Sequence, residues 1–269
     1  MEVNFISLAS GSSGNCYYLG TDEYGILIDA GISVRTIKKR LKQCAGIDLD
    51  KVRAVLVTHD HADHIKAVGV LGEKYSIPVY STPDVHKGIN KSYCVKQKLS
   101  AASIHYLYKE QPFYIGDFMI VAFEVPHDGT DNVGYCIRIG DKTFTFVTDI
   151  GHITPIAANY INKANYLVLE ANYDLAMLQT GRYPQYLKQR IYGPKGHMCN
   201  DDAAEFLATH YTPVLKYVWL CHLSQDNNRP DIAFQTVSNR LEESGIEVGK
   251  DLQLIALNRC IPSELYTFR

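Results

Sequence analysis

No apolar run in this chain approaches the ~20 residues that a membrane span needs. The opening Met1-Glu2-Val3-Asn4-Phe5 lacks the basic stretch and apolar core of a secretory signal. Neither sign of charge dominates: 27 Lys+Arg stand against 29 Asp+Glu, so contact with a polyanion has to come from a local basic patch. Cys-x-x-Cys is also missing. The seven cysteines (Cys16, Cys44, Cys94, Cys136, Cys199, Cys221, Cys260) are odd in number and scattered, which argues against a disulfide framework. They read as buried free thiols in a reducing cytoplasm. Repeats, low-complexity segments and linkers are absent. With 46% hydrophobic residues, 269 positions supply an ample core, and residues 1–269 read as a single domain.

What the chain has is Thr58-His59-Asp60-His61-Ala62-Asp63-His64, directly after the apolar run Ala54-Val55-Leu56-Val57. That run is short and β-branched, so it reads as a buried strand. His59 and His61 lie two apart, and an extended backbone points both the same way. Asp63 and His64 are adjacent and need irregular backbone to reach a common centre. Neutral imidazole with carboxylate is a donor set that zinc and its first-row neighbours take. A solvated polar loop is the plainer account, but it does not explain so many ligand-type residues behind one core strand.

Periodicity places further strands at 3–8, 15–20, 25–29, 77–80, 104–107, 112–115, 117–125, 133–139, 142–148, 166–170, 217–221 and 252–256. Helices are expected after Ser33, over 64–74, after Thr82-Pro83, near 154–161, over 184–191, over 201–210 capped by Asn200, and over 230–243. Two mixed sheets with helices outside satisfy this order, though composition and periodicity do not single it out. Three more ligand-type residues follow predicted strands: His127, Asp149 and His222. Each alone would read as a hydrogen-bonded structural residue; their shared position behind strands is what makes them candidates.

The series His59-x-His61-x-Asp63-His64, then His127, Asp149 and His222, resembles the ligand series of the metallo-β-lactamase superfamily over almost the whole chain. The resemblance implies an α/β fold of the αββα four-layer sandwich type, with two mixed β-sheets flanked by helices. It also implies two divalent ions, zinc first, manganese or iron as alternatives. One ion would take His59, His61 and His127, the second Asp63, His64 and His222, with Asp149 bridging. Ser7 to Asn15, Leu27-Ile28-Asp29-Ala30-Gly31, Gly196-His197-Met198-Cys199-Asn200 and His222-Leu223-Ser224 resemble the small YycJ/WalJ-type group, which is related to RNase Z and RNase J. That likeness implies a metal-dependent nuclease in which a metal-activated hydroxide attacks phosphorus, acting on DNA from the 5′ end. Glu170 and His197 resemble the pair that RNase Z-type enzymes place near the leaving oxygen, and Asp63 would orient the attacking water.

Asp29 ends an apolar strand and is expected to bond a ligand imidazole or nearby backbone. The run Arg182 to Lys195 interleaves cations with tyrosines, so Arg190 and Lys195 are read as phosphate contacts or as part of a solvated helix face. Asn227 and Asn228 are read as phosphate contacts or as caps of the helix opened by Pro230. Two other functions stay open: a thioester or lactone hydrolase of the glyoxalase II type, and a metal-stabilised nucleic-acid-binding protein without catalysis. The first offers no reason for Glu170 and His197. The second leaves a full ligand series unexplained. Oligomeric state is not legible.

Overall fold

The structure, a computed structural model, describes residues 1–269. The first stretch of chain forms β1 (Val3–Ala9), β2 (Cys16–Gly20), β3 (Gly25–Ile28), α1 (Val34–Ala45), β4 (Val52–Leu56), α2 (Ala62–Ile65), α3 (Val68–Tyr75), β5 (Val79–Ser81), α4 (Pro83–Lys91) and β6 (Ile104–Tyr106). The middle forms β7 (Phe113–Ile115), β8 (Phe118–Glu124), β9 (Val133–Ile139), β10 (Lys142–Val147), α5 (Pro155–Ile161), β11 (Tyr166–Glu170), α6 (Leu175–Thr180), α7 (Gln185–Tyr192), α8 (Asn200–His210), β12 (Tyr217–Cys221), α9 (Pro230–Glu243) and β13 (Gln253–Ala256). The last strand is β14 (Tyr266–Phe268). No helix is long and apolar enough to cross a membrane.

Two compact units divide the chain. Unit 1 comprises Met1–Gln111, Gly129–Asp131 and Asn258–Arg269; unit 2 comprises Pro112–Asp128 and Asn132–Leu257. Unit 1 holds a seven-stranded mixed sheet in the order β14-β1-β2-β3-β4-β5-β6. Strands β3 to β6 are parallel, and α1, α3 and α4 lie within their crossovers. Ile37 and Leu41 of α1, Val68 and Leu71 of α3, and Val85 and Ile89 of α4 pack with Ile6, Leu8, Leu27, Val55 and Val79 in one buried cluster. The helices start where hydroxyls can cap them. Ser33 accepts from Thr36 N at α1, and Thr82 accepts from Val85 N at α4, with Pro83 preset for the first turn. Each such cap contributes about 1 kcal/mol.

Unit 2 holds the second seven-stranded mixed sheet, in the order β13-β12-β11-β10-β9-β8-β7. Here β10 to β13 are parallel, and the hairpin β9–β10 turns on Gly140, whose φ of 58° suits glycine. Its core joins Val147, Leu167, Leu169, Val218 and Leu220 to Ala157 of α5, Leu207 of α8, and Val237 and Leu241 of α9. Parallel pairing decides where chemistry can sit. Asp149, Glu170 and His222 all lie at or just past the carboxyl ends of adjacent parallel strands, the edge where open α/β sheets expose their loops.

Several details differ from expectation. The helix expected over 64–74 is two helices, because Ala30 takes its backbone: Ala30 N donates to His64 O, and Ala67 N donates to Ala30 O. Asn200 is not the cap of α8; Cys199 is, its thiol accepting from Asp202 N at 3.3 Å. Four of the free cysteines are buried (Cys16, Cys136, Cys199, Cys221), whereas Cys44 and Cys260 are exposed and Cys94 is intermediate.

Candidate metal centre and active site

In unit 1 the His-rich segment leaves β4 and is tied down by Asp29. This residue directly follows β3 with a left-handed φ of 59°, which turns its carboxylate back toward the neighbouring strand end. Its Oδ1 accepts from Thr58 N at 2.8 Å, and its Oδ2 faces His64 Nδ1 at 2.7 Å. The Thr58 hydroxyl donates to Asp29, so its oxygen is left to accept from His59 Nδ1 at 3.0 Å. Burial raises the Asp29 carboxyl, and the His64 charge together with the bonds from His64 and Thr58 offsets part of that rise. His61 stands at the N-cap position of α2, which carries Asp63 and His64.

This short helix is pinned from below. Asn15 N donates to Asp63 O at 2.7 Å, and the Asn15 side-chain amide reaches His64 Nε2 at 3.0 Å and Asp63 Oδ2 at 3.3 Å. Gly31 has to be glycine here: a Cβ would sit 1.6 Å from Asp63 O. The rings cluster tightly, with centroids 4.5 Å apart for His59–His61 and 4.1 Å for His59–His64.

Unit 2 assembles the second group. His127 Nδ1 lies 2.8 Å from the Gly196 carbonyl. A carbonyl only accepts, so Nδ1 carries the proton and Nε2 keeps its lone pair. Burial, the largest influence on this imidazole, holds its pKa below the ordinary value and keeps the ring neutral. Asp149 Oδ1 lies 3.6 Å from His127 Nε2 and 3.0 Å from His222 Nδ1. His222 follows β12 with a left-handed φ of 54°, and Asn172 Nδ2 donates to its carbonyl at 2.7 Å.

Glu170 is the hub. Its side chain is fully buried, and Oε1 faces His197 Nδ1 at 2.7 Å and His222 Nδ1 at 2.9 Å. Oε2 accepts from Ile150 N at 2.9 Å and Met198 N at 3.1 Å. Burial pushes this carboxyl upward, but the His197 charge and the bonds from His197 and His222 outweigh it, so it titrates below the ordinary range. Ligand-type atoms of Asp149, Glu170, His197 and His222 all lie within 4.8 Å of one another. With both oxygens engaged by N–H donors, Glu170 is placed to orient the two imidazoles.

The imidazoles fit a metal. His59, His64, His127 and His222 each commit Nδ1 to an oxygen acceptor, which places the lone pair on Nε2, the atom a divalent ion takes; at His64 that lone pair accepts from the Asn15 amide at 3.0 Å. Nitrogen donors alongside carboxylates suit zinc, and manganese or iron also accept such sets.

Of the remaining expected residues, Arg190 on α7 makes a two-point pair with Asp128, at 2.5 and 3.1 Å. Lys195 is exposed on the turn before His197. Asn227 and Asn228 are each only 1% exposed; Asn228 bonds Asn200 and Ala171 O, and Asn227 bonds Ser224. Asn228 therefore spends its side-chain bonds inside the fold, whereas the buried Asn227 Oδ1 has no hydrogen-bond partner. The resemblance places the segment ending at Asn15 near the site, and Asn15 does bond Asp63 and His64; the bonds made by Thr58 and Asn172 have no signal in the sequence. Thr58 adjoins His59 and Asn172 lies two residues past Glu170, but neither position announces a partner.

A Beta-lactamase superfamily domain matches residues 24–219. Exodeoxyribonuclease YycJ of Bacillus anthracis is 36% identical over 98% of this chain and 99% of its own length. Exodeoxyribonuclease WalJ of Streptococcus pneumoniae is 36% identical over 92% of this chain and 91% of its own. Among solved structures, the metallo-beta-lactamase fold protein YhfI of Bacillus subtilis superposes with a TM-score of 0.69, covering 100% of both chains at 15% identity, which speaks for the fold alone. Fold, donor groups and relatives agree: the chain belongs to the metallo-β-lactamase superfamily, within its YycJ/WalJ-type group.

Proposed function

We propose that this protein is a divalent-metal-dependent phosphodiesterase that degrades DNA from the 5′ end in the cytoplasm. The observation that carries the metal reading is the shared wiring of the imidazoles, with Nδ1 spent on oxygen acceptors and the lone pair therefore on Nε2. Family membership supports the assignment of His59, His61 and His127 to one ion and of Asp63, His64 and His222 to the other, with Asp149 shared. When bound, such a pair lowers the pKa of water and stabilises charge on a phosphate oxygen. The chain supplies the rest. Asp63 orients the attacking water. Glu170 holds His197 by Nδ1, which leaves Nε2 to deliver a proton to the departing alkoxide. The buried carboxylate behind the ring fixes its tautomer and orientation. Arg190 and Lys195, on the segment leading into His197, supply cations for the phosphate backbone; Arg190 would exchange its bond to Asp128 for one to phosphate.

Names of the two full-length relatives favour DNA over a thioester as substrate. The test is metal analysis followed by digestion of end-labelled single- and double-stranded DNA and RNA, with Asp63→Ala as the control. Ordered shortening of 5′-labelled DNA by the wild type alone is expected. Efficient thioester hydrolysis with every nucleic acid left intact would overturn the reading.

A further inference from the structure

Unit 1 contains two adjoining cavities away from the ligand side chains. The first, about 300 Å³, is lined by Ser13, Ser33, Thr36, Arg40, Lys66 and Arg259 among others. The second, about 450 Å³, is walled by Val34, Ala67, Val70, Cys94 and Val95, and its lining is mainly apolar. Ser33 and Lys66 line both, so the two form one cleft with a cationic end and an apolar end. No carboxylate lines either part.

The cationic end is built. Arg40 donates from Nη1 to Leu8 O and from Nη2 to Cys260 O. Carbonyl partners fix a guanidinium without neutralising it. The Arg259 stem lies against Gly11, where an added Cβ would fall 2.8 Å from Arg259 Cγ, so the glycine loop seats this cation. Helix α1, twelve residues long, begins beside Ser33 and adds the positive end of its dipole. Three cations with hydroxyls select an anion such as phosphate. The apolar end has room for a flat heterocycle, and its size lies within the ordinary range for small-ligand sites.

We propose that this cleft binds one nucleotide of the DNA strand that flanks the scissile position, its phosphate on Arg40, Lys66 and Arg259 and its base between Val34, Val70 and Val95. The proposal rests on the nuclease reading above and deepens it. Continuity favours a strand over a free nucleotide. Lys66 comes two residues after His64, and Ser13 two before Asn15, whose amide bonds Asp63 and His64. On its far side the cleft is lined by Lys96 and Gln97, within Lys91-Ser92-Tyr93-Cys94-Val95-Lys96-Gln97-Lys98. There Tyr93 is 91% exposed among lysines, an arrangement for stacking on a base and following a phosphate backbone. A free nucleotide needs no such extension.

The test compares the metal-loaded wild type with Lys66→Ala and Val70→Trp. Fluorescence anisotropy reads binding to a labelled single-stranded oligonucleotide with cleavage-resistant phosphorothioate linkages, across a salt series. Both variants are expected to bind roughly 10-fold more weakly. Lys66→Ala should also lower the slope of log affinity against log salt by about 0.7, the share of one phosphate contact on a single strand. Val70→Trp should leave that slope unchanged. Turnover of bis(p-nitrophenyl) phosphate, which carries no flanking nucleotide, should stay at the wild-type rate and shows that fold and centre are intact. Oligonucleotide affinities within twofold of wild type in both variants overturn the proposal. So does loss of dAMP binding in the variants while oligonucleotide binding is kept, which would mark a free-nucleotide pocket. Failure of the wild type to cleave any DNA sinks the nuclease reading instead, and this binding assay distinguishes the two failures.

Discussion

Replacing Glu170 by Gln tests the wiring of the site with a change of one atom. Both Glu170 oxygens face N–H groups: two imidazole Nδ1 atoms on one side, and the backbone amides of Ile150 and Met198 on the other. A carboxamide presents one acceptor and one donor. With its NH2 toward the backbone, two buried amides lose their acceptor, at about 1–3 kcal/mol each. The sum is about 2–6 kcal/mol, and at roughly 2–4 °C per kcal/mol for a chain of this size the melting temperature should fall by roughly 4–24 °C. Turned the other way, the amide NH2 faces the Nδ1 atoms of His197 and His222, which lose an acceptor and with it part of the orientation that aims His222 Nε2 at a metal. Either orientation has a measurable consequence. Thermal unfolding of metal-free protein reads the first, and chelator competition reads the second. Turnover on DNA should fall roughly 100-fold in both cases as His197 loses its orienting anion. The sign of the pH dependence follows from the depressed carboxyl. Its stabilising contribution is present above the ordinary value of 4.5 and is lost as pH falls through the folded value, so the gap between wild type and variant should narrow on acidification. Unchanged melting temperature, metal affinity and turnover together would refute this account of Glu170.

Three further outcomes are expected. Asp29→Asn leaves one of its three donors, Thr58 N, Thr58 Oγ1 or His64 Nδ1, facing an amide NH2, and metal affinity measured by chelator competition should drop 10–100-fold, an order-of-magnitude figure for such orienting groups. Gly31→Ala drives a methyl group into Asp63 O and should cost roughly 3 kcal/mol in a denaturant titration, with loss of metal at the Asp63–His64 turn. His86 is 4% exposed, its Nε2 bonded to His105 O, and burial holds its pKa below the ordinary 6.5. The unfolded chain therefore binds its proton more readily, stability falls as pH drops below about 6.5, and His86→Gln should flatten that part of the stability–pH curve.

Much of the candidate site was legible because its chemistry is local. His59, His61, Asp63 and His64 follow a strand within a few residues, and Asp149, Glu170 and His222 each terminate an apolar run that can only be a strand. What stayed hidden depends on contacts between distant segments. The break between α2 and α3 exists because Ala30, far back in sequence, takes the hydrogen bonds that a continuous helix would need. Strand β14 is three residues long and gains its identity only by pairing with β1. Helix α6 did have a signal that went unread: Asp174 before an apolar stretch, its side chain accepting from Met177 N. A cap at position 199 is hard to read because Cys199 stands where the resemblance leads one to expect Ser, yet its thiol sits where the cap geometry needs an acceptor.

The left-handed backbone at Asp29 and His222 bears on how far the protein can be stabilised. Ser76 and Glu110 share that conformation in exposed turns, and glycine at either would relieve roughly 1 kcal/mol of tension without touching chemistry. At 29 and 222 the same exchange would delete a carboxylate that aims His64 and an imidazole proposed as a ligand. The contortion of the chain is thus kept where its residues are irreplaceable, and engineering for robustness has its free moves in the peripheral turns.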